Sequence, residues 1–252
     1  MTLILDGEKV ASGVYNGLEP KLSFLEKIGV QPKLAIILTS EDNRSLRYAE
    51  MKKRKFNEKQ VLTEIFEPDH QEELDELICK LNIDDSYHGI FIQLPLEKSL
   101  NKSRIFSMLK PSKDIDCMAP NSLGRLLIGK DIYSPANVEA VFQILRHYNI
   151  NMNRQWGIIG IDNVLGRPLI SKLSAMGLRF STFKPSDNLS VSKIIVSDIQ
   201  EMSSIGKKQV TKDSIIIDNG NNYQKGKVYG DFDYKNVKEI VHAITPVPGG
   251  IG

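Results

Sequence analysis

The sequence predicts an α/β protein made of two units with mainly parallel sheets. Short apolar runs alternate with amphipathic stretches along the 252 residues, which is the signature of strand–helix–strand repeats. The runs are almost continuously apolar, as strands covered on both faces are. The alternation also occurs twice, on either side of Tyr133–Pro135, and each half is long enough to bury a core of its own.

In order, KLAIILT (33–39), bounded by Pro32, reads as a buried strand, and SLRYAEMKKRKFNEK (45–59) as a helix, because it lacks Pro and Gly and is rich in good helix formers. VLTEIFE (61–67), helical QEELDELICKL (71–81) and HGIFIQLP (88–95) repeat the pattern. PSKDIDCMAPNSLGRL (111–126) is rich in turn residues and reads as a loop. Residues 135–149 form a helix opened by Pro135, a favoured first-turn residue. QWGIIG, GRPLISKLSAMG, RFSTF, KIIVSDI and SIIIDNG make a second strand–helix series, and KVYGDFDY, VKEIVHAI and TPVPGGIG follow.

Composition narrows the function. A net charge of only +2 does not favour a dedicated nucleic-acid binder. Cys79 and Cys117, the only cysteines, cannot build a disulfide framework, which fits a reducing cytosol. No apolar run approaches the roughly 20 residues a bilayer span needs, and MTLILDGEKV lacks the basic and apolar regions of a secretory signal. The four histidines lie far apart, so no metal site is expected.

Polar residues stand out in three segments of the first half. In RYAEMKKRK (47–55), a helix sets Tyr48 and Lys52 on one face, and Lys53, Arg54 and Lys55 crowd Lys52 with like charge. Like charge and burial both lower a lysine pKa and suit it to proton transfer, although a solvated basic face would read the same way. Gln93 closes an apolar run, at the strand edge where open α/β sheets present ligand sites, or else it satisfies loop backbone. Asp114 and Asp116 could each be an Asx turn or helix cap, or one could accept paired N–H donors from a flat heterocycle.

Taken together, SxxYxxxK, GIFIQLPL, PSKDID, NSLGRL and ITPVPGG, in this order and spacing, resemble the bifunctional methylenetetrahydrofolate dehydrogenase/methenyltetrahydrofolate cyclohydrolase family from DGEKVA onward. The resemblance implies two α/β domains around a folate-binding cleft, the second of Rossmann type: residues 1–133 as the catalytic domain, 134–245 as the cofactor domain, and 246–252 as a folate loop returning towards the first. It implies Lys52 as the catalytic lysine, Gln93 as its hydrogen-bond partner, Tyr48 as the residue orienting folate, and Asp116 as the partner of the pterin. Leu94 and Pro95 would join the substrate site, as would Pro248, Gly249 and Gly250, where absent side chains let backbone approach a ligand. Ser45 matches a family serine or serves as a helix N-cap.

For the cofactor, NADP with NAD as the alternative, the resemblance implies Gly160, Ile161, Asp162, Gly166, Arg167, Pro168, Lys184 and Gly220. Here the sequence departs from the family. Ile161 and Asp162 replace an arginine and a serine, Gln200 stands where a glycine is usual, and Cys117 replaces a glycine of the folate loop. No acid follows RFSTF to bind a ribose hydroxyl, whereas Lys184 could meet a 2′-phosphate. The departures leave open a cyclohydrolase with a degenerate cofactor site, or a non-catalytic folate- or nucleotide-binding protein. The resemblance also implies a cytoplasmic homodimer acting on tetrahydrofolate derivatives, with neither nucleic acid nor membrane as a partner.

Overall fold

The computed structural model describes residues 1–40, 42–162 and 164–252. β1 (Leu3–Ile4) leads into α1 (Gly7–Lys27), β2 (Lys33–Ile37), α2 (Asn43–Glu58), β3 (Leu62–Phe66), α3 (Gln71–Ile83) and β4 (Gly89–Ile92). Three helices follow: α4 (Lys102–Met108), α5 (Pro120–Leu127) and α6 (Ala136–His147). Then come β5 (Trp156–Ile159), α7 (Gly166–Ala175), β6 (Phe180–Phe183), β7 (Ile194–Ser197) and β8 (Ile215–Asp218). The chain continues through β9 (Asn222–Gln224), β10 (Lys227–Tyr229), α8 (Tyr234–Val237) and β11 (Ala243–Ile244).

Two compact units result: Asn16–Arg125 with Asp131–Ser134, and Met1–Tyr15 with Leu126–Lys130 and Pro135–Gly252. The first holds a parallel sheet of order β3-β2-β4. Successive residues of β2 face opposite layers. Ala35 and Ile37 join Leu74, Ile78, Ile105 and Phe106 of α3 and α4, while Leu34 and Ile36 join Ala49 of α2 and the ring of Phe91. Ile36 and Ile37 are fully buried, worth about 1.5–3 kcal/mol each. A one-residue slip would exchange the two layers, so the register is fixed.

The second unit is a six-stranded parallel sheet of order β1-β11-β8-β7-β5-β6. Trp156, Ile158, Ile194, Val196, Ile215 and Ile217 face α6 and α7, and Ile159, Ile195, Ile216 and Ile244 face the layer holding Val237 of α8. From β5 the chain crosses to β6 on one side and then to β7 on the other, so strand order reverses at β5/β7. Such switch points open a crevice at the carboxyl ends of the strands.

The compact units part from the expected domains at Met1–Tyr15, at Leu126–Lys130 and at Ser134. Met1–Tyr15 group with the second unit rather than with residues 16–133, because β1 extends the large sheet through Leu3↔Ala243 and Ile4↔Ile244. Residues 246–252 group with the same unit. There the Gly7 N–H donates to the Gly249 carbonyl at 2.8 Å and Ile251 packs against the core.

Candidate active site

In the first unit, three elements converge on Lys52. It lies on α2, packed against the sheet through Ala49, which is fully buried. Its Nζ sits 3.8 Å from the centroid of the Phe91 ring on β4 and donates to Gln93 Oε1 at 2.8 Å. Gln93 immediately follows β4, tied to the sheet by its backbone N–H on the Ile37 carbonyl at 2.9 Å. Its Nε2 donates to the Leu94 carbonyl at 2.7 Å, so the other end of the amide is turned to the lysine. The Leu94–Pro95 peptide is cis.

The electrostatics of Lys52 follow from its burial and its neighbours. Burial pushes its pKa below the ordinary lysine value, while the Asp116 carboxylate pulls it upward. The aromatic face and the amide oxygen both favour the ammonium. The result is a half-buried lysine with support for its charged form and a cost for keeping it.

Asp114 and Asp116 differ in their surroundings. Asp114, 1% exposed, accepts from the Met118 N–H at 3.0 Å and the Ala119 N–H at 2.8 Å, and so organises its own loop. That loop is pinned to β4, where the Ile90 N–H donates to the Lys113 carbonyl at 2.7 Å. Asp116 remains partly exposed and acts on Lys52. Cys117, in place of a glycine, holds a left-handed φ of 54°, the conformation that glycine adopts without steric cost.

Tyr48 lies one helical turn before Lys52 with its ring exposed. Ser45 is not an N-cap: α2 already begins at Asn43, and Ser45 is buried within its first turn. Sequence reasoning missed Phe91, although it lies two residues before Gln93 in the quoted GIFIQLP.

Pro248, Gly249 and Gly250 belong to the second unit, where the seat of their loop is Gly7. A Cβ at Gly7 would lie 1.9 Å from the Gly250 carbonyl oxygen, so only glycine admits this contact. The DGEKVA stretch carried that signal without its reason.

The turn between β5 and α7 is shaped for close backbone approach. Gly160 has φ 87°, and a Cβ there would lie 2.1 Å from the Asp198 carbonyl oxygen. At Gly166 a Cβ would meet the Gly160 oxygen at 2.5 Å. Such a turn at a helix start suits a phosphate-bearing ligand. Pro168 is buried and Ile161 exposed, while Asn163 lies outside the described residues. Asp162 neither caps α7 nor points inward: it accepts from Arg167 Nη2 at 2.7 Å, both side chains exposed, an ion pair worth little.

Lys184 follows β6 and is exposed. The expected lack of an acid there needs correction. A turn brings Asp187 back, and its Oδ2 accepts from the Lys184 N–H at 2.8 Å. Gly220 is buried against Asp231, where a Cβ would lie 2.4 Å from Oδ1.

Asp198, which the sequence did not single out, stands at the switch point beside Gln200. Asp198, just beyond β7, accepts from the Leu165 N–H before α7 at 3.0 Å and from Gln200 Nε2 at 2.7 Å. Burial pushes its carboxyl pKa up, against the pull of these donors. Gln200, φ 62°, also accepts from the Asn221 N–H at 3.0 Å.

Comparison with known proteins gives one answer along the chain. Residues 5–116 match the family model for the tetrahydrofolate dehydrogenase/cyclohydrolase catalytic domain, and residues 135–252 that for its NAD(P)-binding domain. The bifunctional protein FolD of Staphylococcus aureus (strain JH9) is 34% identical over 259 residues, covering 99% of this chain and 91% of that protein. Among solved structures, the bifunctional FolD methylenetetrahydrofolate dehydrogenase/cyclohydrolase of Campylobacter jejuni superposes with TM-score 0.95 at 30% identity, covering 100% of this chain and 93% of the other. The bifunctional 5,10-methylenetetrahydrofolate dehydrogenase/cyclohydrolase of Thermoplasma acidophilum gives 0.90 at 29% identity, covering 99% and 92%.

Proposed function

The chain belongs to the tetrahydrofolate dehydrogenase/cyclohydrolase family, and from that premise we propose that it interconverts one-carbon forms of tetrahydrofolate. It oxidises 5,10-methylenetetrahydrofolate to 5,10-methenyltetrahydrofolate with NADP, and hydrolyses that product to 10-formyltetrahydrofolate. The three-stranded unit carries the proton-transfer lysine, and the six-stranded unit holds the dinucleotide.

The observation that carries the hydrolytic half is the setting of Lys52, between Gln93 Oε1 at 2.8 Å and the face of Phe91 at 3.8 Å. Water adds to the methenyl carbon and gives up a proton; the bond from that carbon to N5 then breaks, N5 takes a proton, and the new hydroxyl releases its remaining proton to solvent as the formyl C=O forms. Neutral Lys52 accepts the first and its ammonium donates the second. Burial makes the neutral form accessible, and Asp116 keeps the charged form within reach. Asp116 also holds the amide and amino groups of the pterin. Tyr48 orients the folate, Leu94 and Pro95 line its site, and Pro248, Gly249 and Gly250 offer it backbone.

For the oxidation the dinucleotide supplies the hydride acceptor, and no general base is required. The turn from Gly160 through Ile161, Asp162, Gly166 and Arg167 to Pro168 would hold its phosphates, with Gly220 beside them. Lys184 would meet a 2′-phosphate, which favours NADP over NAD. Among the described residues no helix is long and apolar enough to cross a membrane. We place the protein in the cytoplasm as a homodimer, a state that sedimentation measures.

Lys52→Met is the direct test. Cyclohydrolase turnover should fall at least about 100-fold, the usual scale of general acid–base catalysis, while folate still binds. Turnover at the wild-type rate would remove Lys52 from the mechanism.

A further inference from the structure

We propose that Asp198, clamped by Gln200, is an internal anion seated where the dinucleotide must bind, and that this pair sets the affinity for the nucleotide. The inference rests on the reading of the six-stranded unit as the dinucleotide-binding one.

The position is given by topology. Asp198 leaves the carboxyl end of β7 at the β5/β7 reversal, where an open α/β sheet receives its ligand. The donors available to a phosphate at this place are backbone N–H groups at the start of α7. One of them, on Leu165, already donates to Asp198 Oδ2 at 3.0 Å. The carboxylate and a phosphate would compete for that donor and repel each other besides.

Asp198 is not a surface acid that can swing into water. It is 3% exposed, and its backbone is held against Gly160, with no room for a Cβ between them. Gln200 fixes the carboxylate from the other side. Its Nε2 binds Asp198 Oδ1 at 2.7 Å, while its Oε1 takes the Asn221 N–H at 3.0 Å. One side chain thus ties the end of β7 to the turn after β8. Its left-handed backbone is one that glycine adopts freely, so the clamp can be deleted without forcing a new turn.

Calorimetric titration of the full chain with NADP, and separately NAD, tests the proposal on wild type, Asp198→Ala and Gln200→Gly, with thermal melting followed by circular dichroism for each. Asp198→Ala frees the donor and removes the charge, and should tighten the dissociation constant about tenfold or more, the scale of a hydrogen bond to a charged group. Gln200→Gly should tighten it by a smaller factor, and carries the test alone where Asp198→Ala fails to fold. Equal constants in folded variants overturn the proposal and leave the dinucleotide reading standing. Weaker binding by folded Asp198→Ala overturns it too, because Asp198 would then be a nucleotide contact. No binding by any of the three overturns the proposal together with the reading beneath it.

Discussion

Replacing Gln93 with leucine isolates the acceptor that positions the lysine. Gln93 is 7% exposed, and leucine fills much of its volume without offering an oxygen. The lost contact is the 2.8 Å bond from Lys52 Nζ. A hydrogen bond to a charged group is worth about 1.5–3 kcal/mol, and about 1.4 kcal/mol is a factor of ten. Hydrolysis should therefore lose about ten- to a hundredfold in kcat/KM. The Phe91 face at 3.8 Å and the Asp116 carboxylate remain, so the loss stays below that of removing Lys52. The pH profile adds a sign. Without its oxygen acceptor the ammonium is less well supported, so the limb that reports deprotonation of Lys52 moves to lower pH. The assay is the absorbance of methenyltetrahydrofolate followed across pH. A rate and profile superimposable on wild type would refute the assigned role of Gln93.

Lys52 also leaves a mark on stability. Its folded pKa lies below the ordinary 10.5, so the unfolded chain binds the proton more tightly, and stability rises with pH across the interval between the two values; urea unfolding of Lys52→Met should lack that slope. Asp114→Ala strands two backbone N–H donors, on Met118 and on buried Ala119, and should cost about 2–4 kcal/mol, measured by urea unfolding, with folate affinity falling as Asp116 loses its support. Burial pushes Asp218 up from 3.8 to about 6. The folded state therefore binds that proton more tightly, and gains stability as pH falls from about 6 towards 4. The gap bounds the effect at about 3 kcal/mol, and Asp218→Asn should remove it when unfolding at pH 5 and pH 7 is compared. Gly7→Ala drives a Cβ into the Gly250 carbonyl and should displace the Pro248–Gly250 loop, read as weaker folate binding in a direct titration.

What could be read from sequence followed physical regularity. β2, β4, β5, β7 and β8 announced themselves because strands buried on both faces are unbroken apolar runs. α1 did not, since Gly13, Gly17 and Pro20 interrupt a helix whose buried residues are only Gly7 and Val10. β1 and β11 are two residues each, too short for any periodicity. The β9–β10 hairpin had a local signal that went unused. Lys225 and Gly226, at φ 48° and 79°, form the two-residue loop with both residues left-handed that hairpins favour. At the site, Tyr48, Lys52, Gln93 and Asp116 were legible as residue types at a spacing. Which aspartate organises the loop, and which carboxylate takes the amide before α7, were not, because both depend on hydrogen bonds made between distant segments.

The pairing of β1 with β11 has a consequence for how the chain is made. Residues 3 and 4 leave the ribosome long before residues 243 and 244, their strand partners among the described residues. β11 also lies between β1 and β8, so no earlier strand can stand in for it. Every residue of the three-stranded unit has by then been synthesised. That unit is complete in sequence while β1 still lacks its strand partner. Closing the large sheet is thus a late, long-range event, the kind of contact that slows folding and exposes a nascent chain to aggregation.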